Sequence, residues 1–261
     1  MRKSVSWALA VILTLAAAAY QRTTGPTRPA HGKVTLAGAE IGYRLARSAE
    51  NDKDCEISVG AGNPTVMGVV LYRRFKTDDP WVRTDLERRG DRLIAFLPRQ
   101  PAAGKLAYRV VLEAGGREVP LGGESPIVIR FKGPVPATVL VIHILVMFAS
   151  MLLAAMAGIT ALDRRRNPRA FALAAAALFF AGGLVLGPIV QKYAFGVLWS
   201  GFPLGTDLTD NKTLVSMAVW IAALVAGRKG RPSRGWIIAA SAVTLLINLI
   251  PHSLFGSELK Y

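Results

Sequence analysis

The sequence predicts a mixed fold in three parts: a signal-peptide or signal-anchor helix over residues 1–20, an antiparallel β-sandwich of immunoglobulin-like shape over residues 21–135, and a four-helix transmembrane bundle over residues 136–261. Three observations predict it. Hydrophobic residues make up 52% of the 261 residues and are gathered into blocks rather than spread evenly. Arginine clusters bound the later blocks on one side only. Between the first block and the others lie short, turn-punctuated runs of strand-forming residues.

The first block, residues 5–20, follows Arg2 and Lys3 and ends in Ala17-Ala18-Ala19. A basic start, an apolar stretch and small residues suit a cleavable signal peptide. The same residues also suit a retained anchor. Either way the segment that follows leaves the cytoplasm.

In that segment, residues 34–36, 40–45, 56–59, 66–75, 93–97, 106–112 and 127–131 read as strands, rich in Val, Ile, Leu and Tyr. In the run 106–112, Tyr108, Val110 and Leu112 alternate and predict one buried face. Turn chemistry separates the runs at Asn63-Pro64, Asp78-Asp79-Pro80, Gly90 and Gly115-Gly116. About seven short strands in roughly a hundred residues point to the sandwich. The one cysteine, Cys55, rules out an intramolecular disulfide, so this region must hold together by its own core. It contains no catalytic triad, no His/Cys metal spacing and no Gly-rich phosphate loop. Asp78-Asp79 reads as a turn and His31 as a lone exposed side chain.

Gly133-Pro134-Val135-Pro136 forms a short, stiff connector, because proline fixes φ and favours extended neighbours. Four apolar segments follow, at residues 136–162, 170–190, 208–227 and 235–250. A spanning helix needs roughly 20 apolar residues, so the last is short and relies on its flanks. Ala154-x-x-x-Gly158 and Gly183-x-x-x-Gly187 place small residues four apart, which lets helices approach closely. Gly187-Pro188 is expected to kink or end the third segment.

Charge sets the topology. The loops 163–169 and 228–234 are dense in arginine, the positive-inside signature, and are assigned to the cytoplasm with Arg2 and Lys3. Residues from about 21 to 135, the loop 191–207 and the C-terminal tail are then assigned to the extracytoplasmic side. The net charge of +15 comes partly from these arginines and partly from the basic exported region, which is expected to be drawn to anionic lipid head groups. Nucleic acid is excluded as a partner by compartment.

Polar residues inside apolar segments are costly and therefore candidates for function. His143, Gln191, Asp207, Asp210, Asn211 and His252 all fall at the outward level and are the candidate binding residues of an outer-rim pocket. Asp207 also reads as the cap of the fourth apolar helix, with Asp210 three residues on. Asp210, Asn211 and Lys212 fit capping less well and carry polar groups into the first turns.

Residues 20–29, together with the stretch from Gly187-Pro188-Ile189-Val190-Gln191-Lys192-Tyr193 through Asp207-Leu208-Thr209-Asp210-Asn211-Lys212-Thr213, resemble an uncharacterised family of bacterial multi-pass inner-membrane proteins. In that family an exported β-domain precedes four helices. The resemblance implies this architecture and a bacterial inner-membrane address. It implies no activity and no catalytic residue.

The function class these features favour is a non-catalytic binding or accessory protein that uses the outward β-domain and outer loops. Its expected partners are membrane lipids and a protein at the extracytoplasmic face, with self-association left open. A membrane haem or metal protein using His143 and His252 is one alternative, since imidazoles serve as axial and metal ligands. A small transporter or channel subunit is another, although few helices, no inverted repeat and no charged midplane residues argue against it. An enzyme would have to draw on Asp207, Asp210 and His252.

Overall fold

The structure is a computed structural model and describes residues 2–227, 232–251 and 259. The chain divides into two compact units. One comprises the N-terminal helix and the C-terminal helices, the other the strands between Thr27 and Pro134.

The helical unit contains α1 (Lys3–Thr24), α2 (Ala137–Leu162), α3 (Arg169–Phe179), α4 (Gly187–Phe195), α5 (Leu208–Ala226) and α6 (Arg234–Leu249). α3 continues through π-helical turns, Phe180–Leu186, into α4. Among the described residues, four stretches are long and apolar enough to cross a membrane: Lys3–Thr24, Ala137–Leu162, Arg169–Phe195 and Leu208–Ala226. α6 is shorter, at 16 residues.

Of the two outcomes expected at Gly187-Pro188, a kink or an end, the structure excludes the end. The helix runs on to Phe195. Proline removes an N–H and crowds the carbonyl one turn back. The wider π turns before it absorb that defect: the Gly187 N–H reaches the Gly182 carbonyl, five residues back.

Small residues set the helix spacing. A Cβ on Gly158 would lie 2.8 Å from Ser241 Cβ, so α2 and α6 meet at backbone distance there. Ser241 Oγ donates to the Ala154 carbonyl across the same contact at 2.8 Å. Alanines of α2, α3, α5 and α6 pack around the fully buried Trp220, whose indole N–H donates to Thr244 Oγ1. On α1, Ala10 packs against Ala155 and Met156 of α2.

The basic loops meet at one end of this unit. Arg234 donates to the carbonyls of Ala161, Asp163, Arg164 and Arg166. Arg169 donates to Gly227 O, and Arg166 to Ser6 Oγ. These arginines therefore also satisfy carbonyls at helix C-termini, where cations are favoured. Arg228 to Arg231 lie outside the described residues.

The described residues of the second unit form eleven strands: β1 (Ala30–Leu36), β2 (Ala39–Leu45), β3 (Ser48–Glu50), β4 (Cys55–Gly60), β5 (Met67–Arg74), β6 (Val82–Asp85), β7 (Glu87–Arg89), β8 (Arg92–Leu97), β9 (Lys105–Ala114), β10 (Arg117–Leu121) and β11 (Ile127–Lys132). They make a β1-β2 hairpin, a β4-β8-β7 sheet and a larger sheet ordered β3-β11-β9-β5-β6, with β10 also on β9. None of these sheets closes into a barrel. Tyr108, Val110 and Leu112 of β9 do face the core, together with Ile57, Val59, Leu93, Leu97, Ile129 and Phe131 from the other strands. Gly115 and Gly116 both take positive φ and make the two-residue β9-β10 turn, which requires that conformation twice.

Two features depart from the sequence reading. Four strands, β3, β6, β7 and β10, were not predicted. The first three span only three or four residues, and Pro120 interrupts the pattern of β10. Such a proline is tolerated because β10 is an edge strand. The sheet is also not wholly antiparallel, since β3 pairs with β11 in parallel. These two strands are far apart in sequence, so no hairpin forces them to run in opposite directions.

Candidate functional site

The candidate site is built where α4 gives way to α5. Asp207 caps α5: its Oδ1 accepts from Thr209 N at 2.8 Å and Asp210 N at 3.3 Å. Its own N–H donates to Ser200 O at 3.0 Å, which closes the loop onto the cap. Asp210, one turn into the helix, points back at the same loop. Its Oδ2 accepts from Ser200 N at 2.6 Å, Gly201 N at 3.0 Å, Gln191 Nε2 at 3.1 Å and Ser200 Oγ at 3.3 Å. Asn211 Oδ1 accepts from Phe202 N at 2.6 Å. Gln191 also donates to Ser200 Oγ at 2.6 Å.

The structure thus brings Gln191, Asp207, Asp210 and Asn211 together. What they enclose is the chain's own backbone at residues 200–202. Gly201 is required there: a Cβ would lie 2.5 Å from Asp210 Cβ and 2.8 Å from Asn211 Oδ1. The result is a pinned loop that presents apolar side chains, with Phe202 67% and Leu204 78% exposed.

Next to this cluster lies Lys212, a buried ammonium on the same helix. It donates to the Ile250 carbonyl at 2.7 Å, and the Asp207 carboxylate acts on it electrostatically. Gln21 Nε2 donates to the same carbonyl at 3.3 Å. One carbonyl at the end of α6 therefore ties α1, α5 and α6 together. A cation at a helix C-terminus is electrostatically favoured.

His143 is placed elsewhere. Its Nδ1 bonds the Gly182 carbonyl at 3.0 Å, on the π-helical turns. A carbonyl only accepts, so Nδ1 carries the proton and Nε2 is the nitrogen left for any ligand. His143 has no hydrogen bond to the Gln191–Asn211 cluster. His252 lies outside the described residues. Among the described residues, no group of three or more His, Cys, Asp or Glu side chains is placed to hold a metal ion.

Sequence reasoning missed Ser200 and Gly201, whose role follows from a backbone approach that no motif marks. It also missed a groove in the β unit of about 680 Å³, lined by His31, Lys33, Tyr43, Arg44, Glu56, Ser58 and Arg92. Arg92 Nε donates to Ser58 Oγ at 2.7 Å across it. His31 joins a wall there that carries three cations, Lys33, Arg44 and Arg92, and one carboxylate, Glu56. No run of adjacent residues announces that wall, since β1, β2, β4 and β8 each supply part of it.

No protein-family model matches this chain, and no curated protein matches its sequence.

Proposed function

We propose that this chain is a multi-pass protein of a bacterial inner membrane that works as a non-catalytic binding or accessory protein. Its β unit, the segment 191–207 and the C-terminal tail face outward, and the arginine-rich loops face the cytoplasm. We read α1 as a retained anchor, a reading supported by the packing of Ala10 on α2 and the Arg166–Ser6 contact. The core shared by three sheets supports an immunoglobulin-like sandwich as the class of the β unit.

One observation carries the functional reading. The polar side chains gathered at the α4–α5 turn bond the loop itself and hold it in one shape. A carboxylate committed to backbone N–H donors is poorly placed to act on a substrate, but well placed to preorganise a contact surface. That surface is the apolar tip formed by Phe202 and Leu204, which are exposed side chains on a rigid support.

A photo-crosslinking residue at position 202 or 204 in intact cells tests this. The expected outcome is a discrete crosslinked protein species, weakened when Asp210→Ala frees the loop. Labelling of lipid alone at both positions would refute a protein partner at this loop.

A further inference from the structure

One face of the large sheet carries cations and aromatic rings that the core does not use. Alternation along β9 sends Tyr108, Val110 and Leu112 inward and leaves Lys105 and Arg109 on the opposite face. Arg73 of β5 shares that face, because it pairs with Ala107, and Leu71 pairs with Arg109. Trp81, just before β6, covers both arginines. Arg73 Cζ is 4.8 Å from the indole centroid and Arg109 Cζ is 5.4 Å from it. Phe75 repeats the arrangement, with Lys76 Nζ at 5.5 Å and Lys105 Nζ at 5.7 Å.

Neither Arg73 nor Arg109 forms an ion pair with a carboxylate among the described residues, although Arg73 acts on Asp79 electrostatically from a greater distance. Asp79, the acid of the adjoining turn, is held by Arg74 in a two-point bond. Stacking occupies the flat face of a guanidinium and leaves its rim of N–H donors free for phosphate oxygens. Aromatic rings with an apolar body, set among long basic side chains, are the composition of a protein surface at a membrane–water interface.

We propose that this face, formed by Arg73, Phe75, Lys76, Trp81, Lys105 and Arg109, docks on the anionic head groups of a lipid bilayer. The charge is complementary, and a bilayer is the anionic surface that the chain's own apolar helices bring to it. The inference rests on reading the chain as a membrane protein and adds which surface of the β unit meets the lipid.

The test uses the full-length protein in lipid nanodiscs, either zwitterionic or containing phosphatidylglycerol, with hydrogen exchange followed in the turn from Phe75 to Trp81. The expected result is slower exchange in anionic discs. The effect should vanish in zwitterionic discs and at about 1 M salt, where the screening length is ~3 Å. The double variant Arg73→Gln/Arg109→Gln should lose the protection, with about fivefold expected per neutralised cation. Arg44→Gln/Arg92→Gln, in the groove of the other sheets, should keep it. Unchanged exchange in strands β4 and β8 shows that the Arg73/Arg109 variant is folded, and unchanged exchange in β11 does so for the Arg44/Arg92 variant.

Equal protection in both lipids, or protection kept by the Arg73/Arg109 variant, overturns the proposal. So does protection that inorganic phosphate reproduces in zwitterionic discs, which marks a small-anion site, or protection that rises with the number of chains per disc, which marks a second copy. Failure of the chain to co-elute with nanodiscs at all is a separate result and overturns the membrane reading itself.

Discussion

Asp210 shows how a side chain that looks functional in sequence is used by the fold. Its Oδ2 meets the N–H groups of Ser200 and Gly201. Asp210→Ala leaves the buried Gly201 N–H unpaired, at a cost of about 1–3 kcal/mol. Asp210→Asn keeps an acceptor oxygen and is expected to cost less. Limited proteolysis within residues 196–207 reads the difference, with the alanine variant cut fastest. In the β unit, Tyr108 offers a pH test. Its hydroxyl donates to Ala46 O at 2.7 Å, and burial pushes its phenol well above the ordinary value of 10.0. The fold holds the neutral phenol. Its contribution is therefore complete below the unfolded-chain pKa and declines as pH rises past about 10. Melting followed by circular dichroism should show falling stability above that pH, and Tyr108→Phe should flatten the decline. An identical alkaline limb in the variant would assign the effect to other groups.

At the scale of elements, the helices were legible and the sites between them were only partly so. The apolar blocks predicted each helix to within a few residues, because hydrophobic length is written locally. The small-residue spacing at Ala154 and Gly158 predicted a close approach but could not name its partner, Ser241 on α6, which is 83 residues further on. The π turns were invisible, since Pro188 announces a defect and not how the helix absorbs it. Among the strands, the seven runs rich in Val, Ile, Leu and Tyr were found, several of them by alternation, while strands of three or four residues carry too few positions to show a period. The Gly158 contact gives the prediction for this scale. Gly158→Ala forces a Cβ against Ser241 and is expected to cost about 1–3 kcal/mol, the range for overpacking. Ser241→Ala removes the Oγ that the new methyl group meets, so the double variant should recover part of the loss. A thermal-shift cycle in detergent measures the coupling. Strictly additive losses would show that the two positions do not meet.

For the molecule as a whole, the informative pattern is the segregation of its two kinds of loop. The arginine-bearing loops are hydrogen-bonded to one another through Arg234 and Arg169. The pinned turn at Ser200–Phe202 belongs to the ends of α4 and α5, and Ile250, at the end of α6, is bonded from α1 and α5. Charge asymmetry along the sequence had paired the loops in the same way, because the rule depends on which loops carry arginine and not on how helices pack. The candidate pocket was less legible: sequence places residues at one depth but does not say whether they face a ligand or each other. Orientation in the membrane is the remaining prediction. In a Cys55→Ser background, Leu204→Cys should react with a membrane-impermeant maleimide in intact cells, because position 204 is 78% exposed on the loop proposed to face outward. Arg165→Cys, in the loop proposed to be cytoplasmic, should react only after permeabilisation. The reverse pattern would invert the topology, putting the Phe202–Leu204 tip in the cytosol and the β unit with it, out of reach of any extracytoplasmic partner.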